Sequence, residues 1–223
     1  MPPVENPQSR KGLVLDGVKI TLRGRILCDL DLVVAPGAVV TLMGPSGAGK
    51  SSLLGHICGT LEPGFDVQGS VWLSGRKIND LAPQDRHVGI LFQDDLLFPH
   101  LSVGGNLAFA LPGDIKGTGH RREKVEQALE IAGLAGFAGR DPATLSGGQR
   151  ARVALMRVLL SSPSALLLDE PFSRLDAKLR SQFREFVFDQ ARRQQLPTLM
   201  VTHDPDDASA TGGEIITLNG PVA

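Results

Sequence analysis

The sequence has no tyrosine and a single tryptophan, and aromatic residues make up only 4% of it. None of them precedes Phe65. Cysteine is as scarce: Cys28 and Cys58 are the only two, and neither sits in a Cys-x-x-Cys or Cys/His cluster. That excludes a disulfide framework and a thiolate metal site. Both lie in apolar stretches, so they read as reduced, buried thiols of a cytoplasmic protein. No charge of one sign dominates, since the formal net charge is -1. Nucleic-acid binders usually carry a basic excess to neutralise phosphates, so no nucleic acid is expected as a partner. No apolar run approaches the ~20 residues that span a bilayer. Residues 1–11 are polar and proline-rich, lack the apolar core of a signal peptide, and read as a flexible leader. If this protein works at a membrane, another chain must supply the span.

What is present is a globular composition. The 223 residues are 42% hydrophobic, which suits one large domain with a continuous core. Short strands are expected at 13–15, 18–22, 26–34, 38–43, 70–73, 87–92, 165–168, 198–202 and 214–218. Helices are expected at 51–58, ended by Gly59, within 102–139, after 149, and at 177–195. Val125, Ala128, Leu129 and Ala132 recur at helical spacing, and the Gly- and Pro-rich stretch 111–119 reads as a loop. Strands alternating with helices imply an α/β core with a mostly parallel sheet. The central run of helices, about 93–162, implies a helical subdomain inserted into a single domain over 12–223.

Gly44-Pro45-Ser46-Gly47-Ala48-Gly49-Lys50-Ser51 fits the phosphate-loop pattern G-x-x-x-x-G-K-[ST], with an apolar strand before it and a helix, from Ser51 and Ser52 onward, after it. Glycines let the backbone curl so that several N–H groups face phosphate oxygens, and the helix N-terminus adds positive potential. Lys50 is expected on the β- and γ-phosphates of ATP and the Ser51 hydroxyl on Mg²⁺. Leu166-Leu167-Leu168-Asp169-Glu170 places two acids where a buried strand emerges. Alone, such a pair reads as a solvated strand end. Beside a phosphate loop, Asp169 reads as a Mg²⁺ ligand and Glu170 as the group that polarises attacking water. His203 follows another core strand and could reach a γ-phosphate, although a lone histidine is usually a surface side chain. Gln93 ends the strand before it and could touch Mg²⁺ or the water. Leu145-Ser146-Gly147-Gly148-Gln149 opens an Arg-rich helix, with Ser146 a natural N-cap and Gly147 and Gly148 leaving N–H groups open to an anion. Its bland reading is a simply capped helix.

Together these residues resemble the ATP-binding cassette family: Walker A at 44–51, the Q-loop Gln93, the LSGGQ signature at 145–149, Walker B at 166–169 with Glu170, the D-loop Ser173-Arg174-Leu175-Asp176 and the switch His203. They stand in the family's order across residues 13–218. The resemblance implies a RecA-like phosphate-loop NTPase core with an antiparallel β subdomain and an inserted helical subdomain. It also implies a head-to-tail homodimer in which Ser146, Gly147, Gly148 and Gln149 of one chain complete the ATP site of the other, with Asp176 a further nucleotide-binding residue. The stretches 92–103 and 170–176 are similar to bacterial importers of the thiamine, iron, sulfate and polyamine kinds. That implies integral-membrane permease partners docked beside Gln93, against 94–106, at the cytoplasmic face of the bacterial inner membrane, and leaves room for a periplasmic or lipid-anchored binding protein in the same system. A soluble cassette that remodels nucleic acid or assembles iron–sulfur clusters is the alternative. One departure stands out. Relatives carry an aromatic residue near Thr21 to stack on adenine, and here Leu22 or Ile20 is expected to pack on the base instead. The expected consequence is weaker adenine selectivity and a higher KM for ATP.

Overall fold

Alternation of apolar and polar residues, and its absence, sorts the strands into two sheets. The structure is a computed structural model and describes residues 11–218, so the expected leader, apart from Lys11, lies outside the described residues. In chain order the elements are β1 (Leu13–Leu22), β2 (Arg25–Val34), β3 (Val39–Met43), α1 (Lys50–Cys58), β4 (Phe65–Leu73), β5 (Arg76–Lys77), β6 (Val88–Leu91), α2 (Val103–Ala110), α3 (Thr118–Ile131), α4 (Gly147–Leu160), β7 (Ala165–Asp169), α5 (Ala177–Arg193), β8 (Thr198–Val201), α6 (Pro205–Ala210) and β9 (Ile215–Thr217). The first sheet has the order β2-β1-β4-β5 and its pairs are antiparallel. The second has the order β6-β7-β8-β3-β9, with β7–β8, β8–β3 and β3–β9 parallel.

Strands β3, β7 and β8 read as unbroken apolar runs because each is buried on both faces, as interior parallel strands are. Strand β4 instead begins in alternation: Phe65 and Val67 are half-buried, Asp66 and Gln68 exposed. Two expected strands, 13–15 and 18–22, are one, since β1 runs through an irregularity between Asp16 and Lys19 where Gly17 takes φ +58°. β4 starts at Phe65 rather than at 70. The short β5 and α6 carry no period that announces them.

The described chain clusters into two compact units. One comprises 11–90, 164–170 and 188–218 and holds both sheets, α1 and α6. Its core joins Leu13, Leu15 and Ile20 of β1 to Leu42 of β3, Leu53 and Ile57 of α1, Leu167 of β7 and Leu199 of β8. The other comprises 91–163 and 171–187 and holds α2, α3, α4 and the first part of α5. The expected helical insertion at 93–162 falls within this second unit, which also takes in 171–187.

Buried Arg86 fixes the far end of α1. Its guanidinium donates to the carbonyls of His56 (2.7 Å), Ile57 (3.1 Å), Asn79 (2.6 Å) and Leu81 (2.9 Å), satisfying carbonyls that a helix C-terminus leaves open. Both cysteines are free thiols; Cys28 is buried, but Cys58 is only half-buried. Burial pushes each thiol up to about 11, so neither is a ready nucleophile. Among the described residues no helix is long and apolar enough to cross a membrane.

Candidate active site

At the end of β3 the chain reverses into α1 through residues 44–49. Gly47 and Gly49 lie at φ +81° and +79°, in the left-handed region that favours glycine. Gly49 is also hemmed in: a Cβ there would stand 2.9 Å from the Leu27 carbonyl oxygen. Glycine at this position has a further consequence. It is the N-cap of α1 and offers no side chain to the first-turn N–H groups. Ser102 caps α2, Ser146 caps α4, Asp176 caps α5 and Asp204 caps α6 through side-chain oxygens; α3 shares a bare glycine N-cap, Gly117, but only α1 starts in the cleft with the acidic pair. The start of α1 is thus left as a set of inward N–H donors with the positive end of a helix dipole behind them, the arrangement that holds phosphate. Lys50 folds back over the loop, where its Nζ donates to the carbonyls of Gly44 (2.7 Å) and Pro45 (2.8 Å). Ala48 is fully buried beneath.

Parallel pairing carries β7 and β8 to the same edge as β3, so their carboxyl ends open beside this loop. Asp169 ends β7. Burial raises its pKa above the usual carboxylate range, the Glu170 charge adds to that, and Lys50 opposes it. Glu170 follows at φ +50°, with its N–H bonded to the Val201 carbonyl (3.0 Å). Its two carboxylate oxygens lie 2.8 and 2.9 Å from Nδ1 of His203, two residues beyond β8. The histidine that looked solitary in the sequence therefore has a specific partner.

Lys50, Asp169 and Glu170 face one cleft of about 440 Å³, whose polar lining is Ser46, Gly47, Gly49, Lys50, Ser51, Ser52, Asp169 and Glu170; His203 lies behind Glu170 and is not part of the lining. Its apolar lining is Leu22, Leu27 and Phe65 from the antiparallel sheet, and Val201, which pairs with Asp169. Here the structure corrects the expectation of a wall without aromatics. Ile20 is fully buried in the core and is not part of the lining, while Leu22 is. Phe65 faces Leu22 directly across the β1–β4 pair, and directly opposed residues share a face of the sheet. Leu27 arrives by a bulge: Ile20 pairs with Cys28 but Thr21 with Ile26, so Leu27 is the extra residue. No local pattern announces Phe65, because the register that brings it to the cleft joins segments far apart in sequence, and Leu27 reaches it only through the hairpin bulge.

Gly44, Pro45, Ala48 and His203 belong to the same unit without lining the cleft, whereas Gln93, Ser146, Gly147, Gly148, Gln149 and Asp176 belong to the second unit. Gln93 shares a small polar cavity of about 100 Å³ with Asp95, Gly147 and Arg150. Ser146 and Gln149 form a reciprocal capping box: the Ser146 Oγ accepts from the Gln149 N–H at 3.3 Å and the Gln149 Oε1 from the Ser146 N–H at 2.9 Å. The N–H groups of Gly147 and Gly148 lie outside both bonds. Asp176 accepts from the Leu179 N–H at 3.0 Å within its own chain.

A glycine-locked loop at the carboxyl edge of a parallel sheet, facing an acidic pair, defines a phosphate-loop nucleoside triphosphatase. Comparison with known proteins narrows the class. Residues 27–173 match the family model described as ABC transporter. The chain is 53% identical over 186 residues to the uncharacterized ABC transporter ATP-binding protein YnjD of Escherichia coli, covering 83% of this chain and 85% of that one. It is 38% identical over 213 residues to the Fe(3+) ions import ATP-binding protein FbpC of Mannheimia succiniciproducens, covering 95% of this chain and 60% of the relative. It is 42% identical over 193 residues to the sulfate/thiosulfate import ATP-binding protein CysA of Gloeobacter violaceus, covering 86% and 55%. The chain thus spans little more than half the length of the last two relatives. It belongs to the ABC transporter family, as an ATP-binding, ATP-hydrolysing protein.

Asp169 allows a test that does not depend on turnover. A carboxyl whose pKa is raised by folding binds a proton more readily in the folded chain, so stability falls as pH rises from its ordinary 3.8 through the raised value. At neutral pH that cost is complete. Asp169→Asn should therefore melt higher than wild type at pH 7.5. The gain should vanish as pH falls towards 4. Thermal melts across pH check it, and equal melting temperatures at pH 7.5 would contradict it.

Proposed function

We propose that this chain is the ATPase subunit of a bacterial importer, working as a head-to-tail homodimer docked on integral-membrane permease subunits at the cytoplasmic face of the inner membrane. The observation that carries the ATPase chemistry is the single cleft in which the uncapped start of α1, Lys50, Asp169 and Glu170 meet. The import reading is supported by the names of the iron and sulfate relatives. What those proteins carry is said of them alone; the cargo here would be set by permease and binding protein.

In this reading the triphosphate of ATP lies along the 44–51 loop. Two of the three ammonium N–H donors of Lys50 hold the Gly44 and Pro45 carbonyls, which leaves one for the β- and γ-phosphates. Ser51 and Asp169 offer hard oxygen donors in the same cleft. Among the described residues no group of three or more His, Cys, Asp or Glu could cage a metal. That donor set fits Mg²⁺, which keeps waters and takes phosphate oxygens alongside one or two protein ligands. Ser51 and Asp169 would hold that ion, with Gln93 the further ligand that the sequence suggests, and when bound it would supply charge neutralisation for the triphosphate. Glu170 accepts a proton from water as the water oxygen bonds the γ-phosphorus and the bond to the β-phosphate oxygen breaks, leaving ADP and phosphate. His203, held on the Glu170 carboxylate, positions that group and faces the γ-phosphate. Ser146, Gly147, Gly148, Gln149 and Asp176 of the second chain complete the site.

The apolar lining from the antiparallel sheet takes the adenine, with Phe65 as its aromatic platform and Leu22 and Leu27 beside it. Phe65→Ala should weaken ATP binding by about 5–150-fold, the ~1–3 kcal/mol that base stacking contributes, and erode the preference for ATP over GTP. Equilibrium binding of the two nucleotides checks it; unchanged affinity would remove Phe65 from the base site. Glu170→Gln should bind ATP, lose at least about 10²-fold in turnover, the scale of general-base catalysis, and accumulate as a dimer with ATP. Sedimentation and phosphate release check this, and wild-type turnover would show that Glu170 is not the base.

A further inference from the structure

Helix α4 carries Arg150 and Arg157 seven residues apart, two turns along one face. Both reach the stretch that follows Gln93. Arg150 places Nε 3.2 Å from the Asp95 carboxylate. Arg157 donates to the carbonyls of Leu96 (2.7 Å) and Asp95 (3.2 Å), and its guanidinium lies 5.3 Å from the centre of the Phe98 ring. Arg174 pairs with Asp94. Fully buried Asn106 accepts from the Phe98 N–H (2.8 Å) and donates to the Phe98 carbonyl (3.1 Å). Leu96 sits at φ +47°, a conformation that a leucine keeps only when its surroundings over-determine it. Residues 94–98 are thus fastened to α4 at two points rather than free as a loop.

Arg150 has a second partner. Its other arm donates to the Leu145 carbonyl at 2.7 Å, immediately before the N-cap Ser146. One planar fork therefore joins the Asp95 carboxylate to the backbone that enters the signature segment. Asp95, Arg150, Gly147 and Gln93 line the same 100 Å³ cavity. Burial raises the Asp95 pKa, and the hydrogen bond and charge of Arg150 only oppose that shift. Because both side chains remain partly exposed, the pair contributes little to folding stability; its consequence is orientation.

We infer that Asp95 is a positioning residue for the phosphate-contacting segment 145–149, acting through Arg150. The inference rests on the reading of 145–149 as the half of the ATP site given to the partner chain. Asp95 aims the Arg150 fork, the fork fixes the Leu145 carbonyl, and that carbonyl sets the register of the capping box and of the Gly147 and Gly148 N–H groups. The site's own phosphate loop does not depend on this chain of contacts.

The test uses the full chain in the Glu170→Gln background, where ATP-driven dimerisation reports on 145–149 and ATP binding by diluted monomer reports on the phosphate loop. Adding Asp95→Asn should weaken the ATP dimer about tenfold or more (one such factor being 1.4 kcal/mol) while monomer affinity stays within about twofold. Arg150→Met should do the same, and the Asp95→Asn/Arg150→Met double variant should be no weaker than the worse single one, since both remove one connection. Asp95→Glu, which keeps the carboxylate, should recover most of the dimerisation. An Asp95→Asn dimer as tight as the parent, additive losses, equal loss of monomer ATP affinity, or a melting temperature well below the parent would overturn the inference. A Glu170→Gln parent that stays monomeric with ATP would instead overturn the composite-site reading, and this assignment with it.

Discussion

The organising constraint of this molecule is a helix that begins without a cap. Gly49 must be glycine, because its backbone is left-handed and Leu27 stands where a side chain would go. A glycine N-cap leaves the first N–H groups of α1 without a side-chain acceptor. The surrounding structure holds that opening in place rather than closing it. Arg86 fastens the far end of α1, Lys50 ties down the loop carbonyls, and parallel pairing brings Asp169 and Glu170 to the same edge. An unsatisfied helix start is poor local design and good anion chemistry, and the cleft uses it in the second sense.

The second unit answers the same problem the other way. Helix α4 has a complete capping box, so its N-terminus is stable without a ligand. What it offers an anion is narrower: the N–H groups of Gly147 and Gly148. Gly148 is packed closely, since a Cβ there would lie 3.2 Å from the Leu179 side chain. A segment with so few free donors depends on being aimed correctly, which is why the contacts of Arg150 with Asp95 and Leu145 matter more for placement than for stability.

How much of this was legible in the sequence depended on range. Buried parallel strands announce themselves as apolar runs, so β3, β7 and β8 are found within a residue or two, and the αL Gly59 ends α1 where the sequence places its stop. The motifs at 44–51, 145–149 and 169–170 are contiguous and were readable for the same reason. What could not be read was pairing across the chain. Gly17 made one strand look like two. Asp66 and Gln68, solvent-facing in β4, masked the strand that delivers Phe65 to the cleft, so the cleft appeared to lack an aromatic. The bonds of His203 to Glu170 and of Arg150 to Asp95 span 33 and 55 residues and leave no periodic trace.

The proposed mechanism requires one chain's cleft to be half a catalytic site. Turnover per chain, measured at saturating ATP and Mg²⁺ across roughly a thousandfold dilution, tests that directly. A composite site predicts that specific activity falls on dilution in step with loss of the dimer, and is restored by reconcentration. Constant activity per chain over that range, from a protein that sediments as a monomer, would contradict it.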